Sequence, residues 1–158
     1  MKKSILTGIL AIATIFSASA QNKLDTIQPK FEIKVITSVE SIVPLGLGRS
    51  RLISANVDRD YKEFSSEQTE DDNTRNKSKR KAIRVKDFEE TKLLNFYNIG
   101  GIRFQNIASN DAVIASKLTS LLAEGWDLIF VASAVESDAG ETDGQGIFIT
   151  RYIFKRKL

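Results

Sequence analysis

The chain has 158 residues, 42% hydrophobic and 27% charged, with 23 Lys+Arg against 20 Asp+Glu and neither cysteine nor histidine. Those two absences exclude a disulfide, a thiol nucleophile, a Cys/His zinc site and a Ser-His-Asp triad. The length suits one domain, stabilised by its core and not by covalent staples.

Residues 1–20 read as an export signal. Lys2 and Lys3 form a basic start, Ile5 to Phe16 is a continuous apolar or small run, and Ala18 and Ala20 occupy the positions a signal peptidase reads. Twelve apolar residues fall short of the ~20 that span a bilayer. Cleavage is expected between Ala20 and Gln21, and with no cysteine to carry a lipid the processed chain is expected in the periplasm or the medium, not inserted in the membrane. Without Lys2 and Lys3 the net charge falls from +3 to +1, which gives no strong field for nucleic acid.

Residues 21–29 form a polar lead closed by Pro29, and residues 30–158 read as a single domain. From Lys30, Phe31, Ile33, Val35 and Thr37 alternate with Glu32, Lys34 and Ser38, the period-2 pattern of a half-buried strand. Apolar character continues to Val43, where Pro44 opens a Gly-rich turn, and Leu52 to Val57 suggests another strand. Residues 58–81 hold 14 charged side chains, acidic in the first part and basic in the second, with only Tyr61 and Phe64 large and apolar. Such a stretch buries too little to offset its ordering entropy. It reads as a mobile loop at the tip of a long hairpin with arms 51–57 and 82–88.

Asp87 and Glu90 make a capping-box pattern ahead of Leu93, Leu94, Phe96 and Tyr97, which predicts a helix ended by Gly100 and Gly101; the run LLNFY also suits a strand. The best helix pattern is 110–124, capped by Ser109, Asn110 or Asp111, with Val113, Ile114, Leu118, Leu121 and Leu122 inward and Gly125 as its stop. Two strands follow. Trp126, Leu128, Phe130 and Ala132 alternate with Asp127, Ile129 and Val131; then Phe148, Tyr152 and Phe154 alternate with Ile147, Ile149 and Ile153. A Gly- and Asp-rich hairpin loop joins them.

With FEIKVI (31–36), AEGWDL (123–128) and RYIFKRK (151–157), the chain resembles the small bacterial family called domain of unknown function 4177. The resemblance covers residues 30–38 and about 110–158. It implies a βαββ fold with a helix packed on an antiparallel sheet, and no activity. The chain departs from that pattern by a long insertion, 39–109, after the first strand.

GLGRSR (46–51) is the local feature with most chemistry. Gly46 and Gly48 let backbone N–H groups turn inward, and Arg49, Ser50 and Arg51 add donors, which together suit an anion cradle. Neither a dinucleotide fingerprint nor a Walker loop is complete here, and a tight turn with exposed arginines is the plainer reading. Glu136, Asp138, Glu141 and Asp143 concentrate carboxylates, without the EF-hand spacing. Ser116-Lys117 and Ser78-Lys79 are adjacent pairs, which point apart on a helix. Trp126 reads as a core aromatic at a corner.

The expectation is therefore an α+β fold: a βαββ-like antiparallel sheet, one principal helix on one face, and a long insertion. The expected function is a non-catalytic binding or accessory module of the cell envelope with no cofactor or metal. Its partner would be an envelope protein or a small anionic ligand, and not nucleic acid. Two other classes stand beside it: a carboxylate-dependent hydrolase of an envelope polymer, which needs two acids in one pocket, and a self-associating structural subunit that forms a homo-oligomer.

Overall fold

The computed structural model describes residues 30–42, 50–98, 100–136 and 146–158. The expected signal at 1–20, the lead at 21–29, Gly46, Gly48 and Arg49 of the cradle, and Asp138, Glu141 and Asp143 of the acidic loop lie outside the described residues.

The fold is α+β, as the pattern predicts. The strands are β1 (Phe31–Ser41), β2 (Arg51–Ala55), β3 (Phe88–Lys92), the short pair β4 (Tyr97–Asn98) and β5 (Gly101–Ile102), β6 (Asp127–Glu136) and β7 (Ile147–Lys157). A one-turn helix α1 (Arg80–Ile83) lies in the charged segment, and α2 (Phe104–Ala123) is the principal helix. Five strands form one sheet in the order β3-β2-β1-β7-β6, with every neighbouring pair antiparallel.

Most of the insertion is therefore not a free excursion. It supplies two of the five strands: β2 pairs with β1 from Ile36↔Ser54 to Val39↔Arg51, and β3 pairs with β2. The charged segment joins β2 to β3 as a hairpin tip, every residue from Asp58 to Lys81 at least partly exposed. The helix expected from Asp87 is instead strand β3. The side chain of Glu90 binds Arg51 on the neighbouring strand at 2.5 Å, so a cross-strand ion pair replaces the local cap. Gly100 and Gly101 belong to the β4–β5 turn, where Gly101 adopts φ 97°.

The helix α2 starts six residues before its expected cap. Asn110 lies inside it, fully buried, with its side chain committed to tertiary partners. Ile114, Leu118 and Leu121 face the sheet as expected, whereas Leu122 faces outward and Val113 stands half-exposed at the margin of the helix. The stop is as the sequence predicts: Gly125 takes φ 83° and Trp126 N–H closes back on the Leu121 carbonyl at 3.0 Å.

The core between α2 and the sheet consists of Ile36, Leu52, Leu93, Ile114, Leu121, Trp126 and Phe154. Trp126 lies under two cations, with Lys34 Nζ 5.2 Å and the Arg156 guanidinium 4.3 Å from its ring centre. Arg156 also binds Glu32 at 2.8 Å. The charged side of β1 therefore faces the helix layer at this end, its side chains lying over an aromatic.

The strand alternation turns the rest of β1 the other way. Phe31, Ile33, Val35 and Thr37 share the side opposite α2. A register shift between Leu128 and Phe130 breaks the simple alternation expected in β6. Leu128 pairs with Phe154 and Val131 with Tyr152 on the helix side, while Phe130 pairs with Ile153 on the far side.

Candidate functional site

Two features carry chemistry: a buried polar cluster under α2, and the sheet face that α2 leaves open. The cluster is built where β1 ends. Asn110 Nδ2 donates to Glu40 Oε2 at 2.8 Å and to the Leu94 carbonyl at 2.7 Å, while its Oδ1 accepts the Leu94 N–H at 2.7 Å. One helix side chain thus ties the β3–β4 connection to the central strand. Asn106 adds a bond to the Asn95 carbonyl at 2.8 Å.

Burial pushes the Glu40 carboxyl above its ordinary 4.5; the Asn110 bond opposes this and the Asp111 charge adds to it. Burial likewise pushes the Tyr152 phenol up. Ser38 stands beside both groups and pulls each back, although its hydroxyl meets no partner at hydrogen-bond geometry. Two acids and a phenol therefore share one neighbourhood, the grouping a carboxylate hydrolase would need. Glu40 is only 6% exposed, however, while Asp111 lies on the outer surface of the helix. The groove between β2–β3 and α2, about 470 Å³, is lined by Leu52, Glu89, Thr91, Val113 and Lys117 and by neither acid. Among the described residues, no group of three or more acids is placed to hold a metal.

A raised folded pKa makes Glu40 a neutral-pH liability. Its favourable contribution is complete below about 4.5 and is lost as pH climbs through the higher folded value. Glu40→Gln keeps an acceptor for Asn110 and removes the charge. Its melting temperature is expected to exceed that of the parent at neutral pH, with the gap closing as pH falls through 4.5. Thermal melts of both proteins across that range check this; a variant less stable at neutral pH would contradict it.

Of the expected anion cradle, the two described members are engaged inside the fold. Ser50 is fully buried; its Oγ accepts the Ser41 N–H at 3.0 Å and donates to Asn95 Oδ1 at 2.8 Å. Arg51 donates to Glu90 and, at 2.7 Å, to the Ser50 carbonyl. Ser50 and Arg51 hold the start of β2 against β1 and β3.

The open face was missed because the sequence reading has no means of choosing which side of β1 the helix covers. Phe31, Ile33 and Val35 are 46%, 55% and 41% exposed, and Phe130 beside them is 59% exposed. Ile149 and Ile153 of β7 share this side. Two cations interrupt this apolar side: Arg151 stands between Ile149 and Ile153, and Lys155 Nζ lies 4.7 Å from the Phe31 ring centre. One signal for it was present: β6 reads LIFVASAV between Asp127 and Glu136, an uncharged run with apolar residues for both faces, and every residue of β6 is exposed.

No protein-family model matches the chain, and no curated protein or solved structure is similar to it at a significant level. None of the described helices is long and apolar enough to cross a membrane.

Proposed function

We propose that the protein is a non-catalytic binding or accessory module of the bacterial cell envelope, and that its working surface is the open face of the sheet. The observation that carries this reading is the exposure of Phe31, Ile33, Val35 and Phe130 together on the side away from α2. Water contact with these side chains costs roughly 25 cal/mol per Å² of apolar area that a partner would cover. The basic start, apolar run and Ala18/Ala20 pair of the first twenty residues support export. The likeness of FEIKVI, AEGWDL and RYIFKRK to domain of unknown function 4177 is in keeping with a module that has no chemistry of its own.

In-cell photo-crosslinking tests the surface. A benzophenone amino acid in place of Phe130 is expected to give a discrete adduct. The same replacement at Phe104, 74% exposed at the start of α2, is expected to give none. No adduct at Phe130, or equal labelling at both positions, would remove the open face as the working surface.

A further inference from the structure

We infer that the free edge of β6 pairs antiparallel with β6 of a second copy of this chain, which joins the two sheets edge to edge. The inference goes beyond the open face: it concerns the backbone of one strand, and the open faces stay uncovered.

The two edges of the sheet differ in kind. β3 offers five residues, FEETK, and its Glu89 and Glu90 are held by Lys117 and Arg51. A short, charged edge of that sort resists an added strand. β6 is ten residues long and exposed throughout, and LIFVASAV between Asp127 and Glu136 contains neither charge nor proline. On the side away from β7, no N–H or C=O of β6 meets a backbone partner among the described residues. Backbone groups along a strand point to both sides, so this edge presents open donors and acceptors. Its register with β7 is unbroken from Phe130 to Glu136, and the irregularity lies before that stretch. An extended strand is the shape that completes such an edge.

The order of residues selects β6 itself as that strand. Ser133 is the middle of the regular stretch, and a two-fold axis through it, normal to the sheet, pairs the whole stretch with its equivalent. Val131 then lies opposite Val135 twice, on the helix side, where the two are 46% and 60% exposed in the single copy. Ala132 lies opposite Ala134 on the open side, and Ser133 opposite Ser133, small enough to meet at the axis. Glu136 falls opposite Phe130, so no like charges stand directly opposite. Arg151 flanks Ala132 from β7. The two Arg151 side chains are three strand spacings apart, about 14 Å, beyond the screening length of roughly 8 Å. The same axis leaves both helices on one side of the joined sheet and both open faces on the other.

Sedimentation equilibrium of the purified protein, with loading raised through the micromolar range, tests the pairing. The parent is expected to pass from the chain mass to twice that mass, since a joint of one strand from each copy is small. Val131→Lys with Val135→Lys sets lysine opposite lysine at both ends of the joint and is expected to hold the protein at the chain mass. Val131→Lys with Val135→Glu sets lysine opposite glutamate and is expected to return the dimer. Ile33→Lys, on the open side of β1, is expected to leave it intact. Amide exchange needs no variant: the outward N–H groups of residues 130–136 are expected to gain protection as loading rises. A parent at the chain mass throughout, a dimer indifferent to the lysine pair, or edge amides unchanged by loading overturns the pairing. A dimer lost in Ile33→Lys and kept in the lysine pair does the same, since its contact would be the open face. The open face keeps its own test in the Phe130 crosslink, where an adduct with another protein leaves it standing even if the parent is of single mass.

Discussion

Phe154→Ala is expected to lower the unfolding free energy by about 3–5 kcal/mol. Phe154 is fully buried in the middle of β7, between Lys34 on β1 and Leu128 on β6, and packs with Ile36, Leu121 and Trp126 beneath α2. The fully buried apolar core is small, so no neighbour is spare to collapse into the space. The rigid strand pairs on both sides also keep the cavity open. Domains of this kind have only about 5–15 kcal/mol in total, so a large share of the stability is lost. Urea unfolding should show a lower midpoint with an unchanged slope. Phe104→Ala, which removes an equally large but exposed ring, is expected to stay within about 0.5 kcal/mol. A Phe154→Ala cost near that of Phe104→Ala would mean that this core is not what holds the domain together.

Asn110→Ala is expected to cost about 2–4 kcal/mol, much more than an ordinary helix asparagine, for which alanine is the better helix former. The substitution strands three groups at once: both backbone groups of Leu94, and the Glu40 carboxylate. It also removes the bond that opposes the rise of the Glu40 pKa, so that the folded value climbs further. The sign of the pH effect follows from that. A higher folded pKa means a larger loss once the solution is basic enough to ionise Glu40, so the penalty should be greater at about pH 7 than at about pH 4. Urea titrations of parent and variant at those two pH values measure it. A penalty that shrinks on going to neutral pH would show that Asn110 does not act on Glu40.

The elements with strong local signals were legible in the sequence. The end of α2 at Gly125, the β6–β7 hairpin and the corner position of Trp126 all follow from residues close in the chain. A tip over residues 58–81 was legible from its few apolar side chains, but the second arm of the hairpin is β3 (Phe88–Lys92) and not the expected 82–88, whose first two residues end helix α1 (Arg80–Ile83). What escaped were decisions made between distant residues. Asp87 and Glu90 spell a helix start locally, yet Glu90 is taken by Arg51 across a strand pair. Asn110 resembles a cap, yet it binds Leu94 and Glu40. Ser50 and Arg51 have donors suited to an anion, and those donors are spent holding β2 in place. The side of β1 that meets α2 was equally hidden. Ile36 and Val35 are neighbours of similar character, and only the packing of Phe154 and Leu121 determines which of them is buried.

The central pairing of the sheet joins the first and last strands, with all eleven residues of β1 in register with β7 and Leu158 N–H closing on the Lys30 carbonyl at 3.2 Å. A chain delivered from its N-terminus at roughly 5–20 residues per second therefore presents β1 long before its principal neighbour exists. Through that interval the strand has one partner at most, β2, which meets only its C-terminal half. The segment Phe31–Val35 waits with its edge and its apolar side both unclaimed. The central pair is completed only when β7 follows, and until then Phe31–Val35 remains an apolar strand with an open edge.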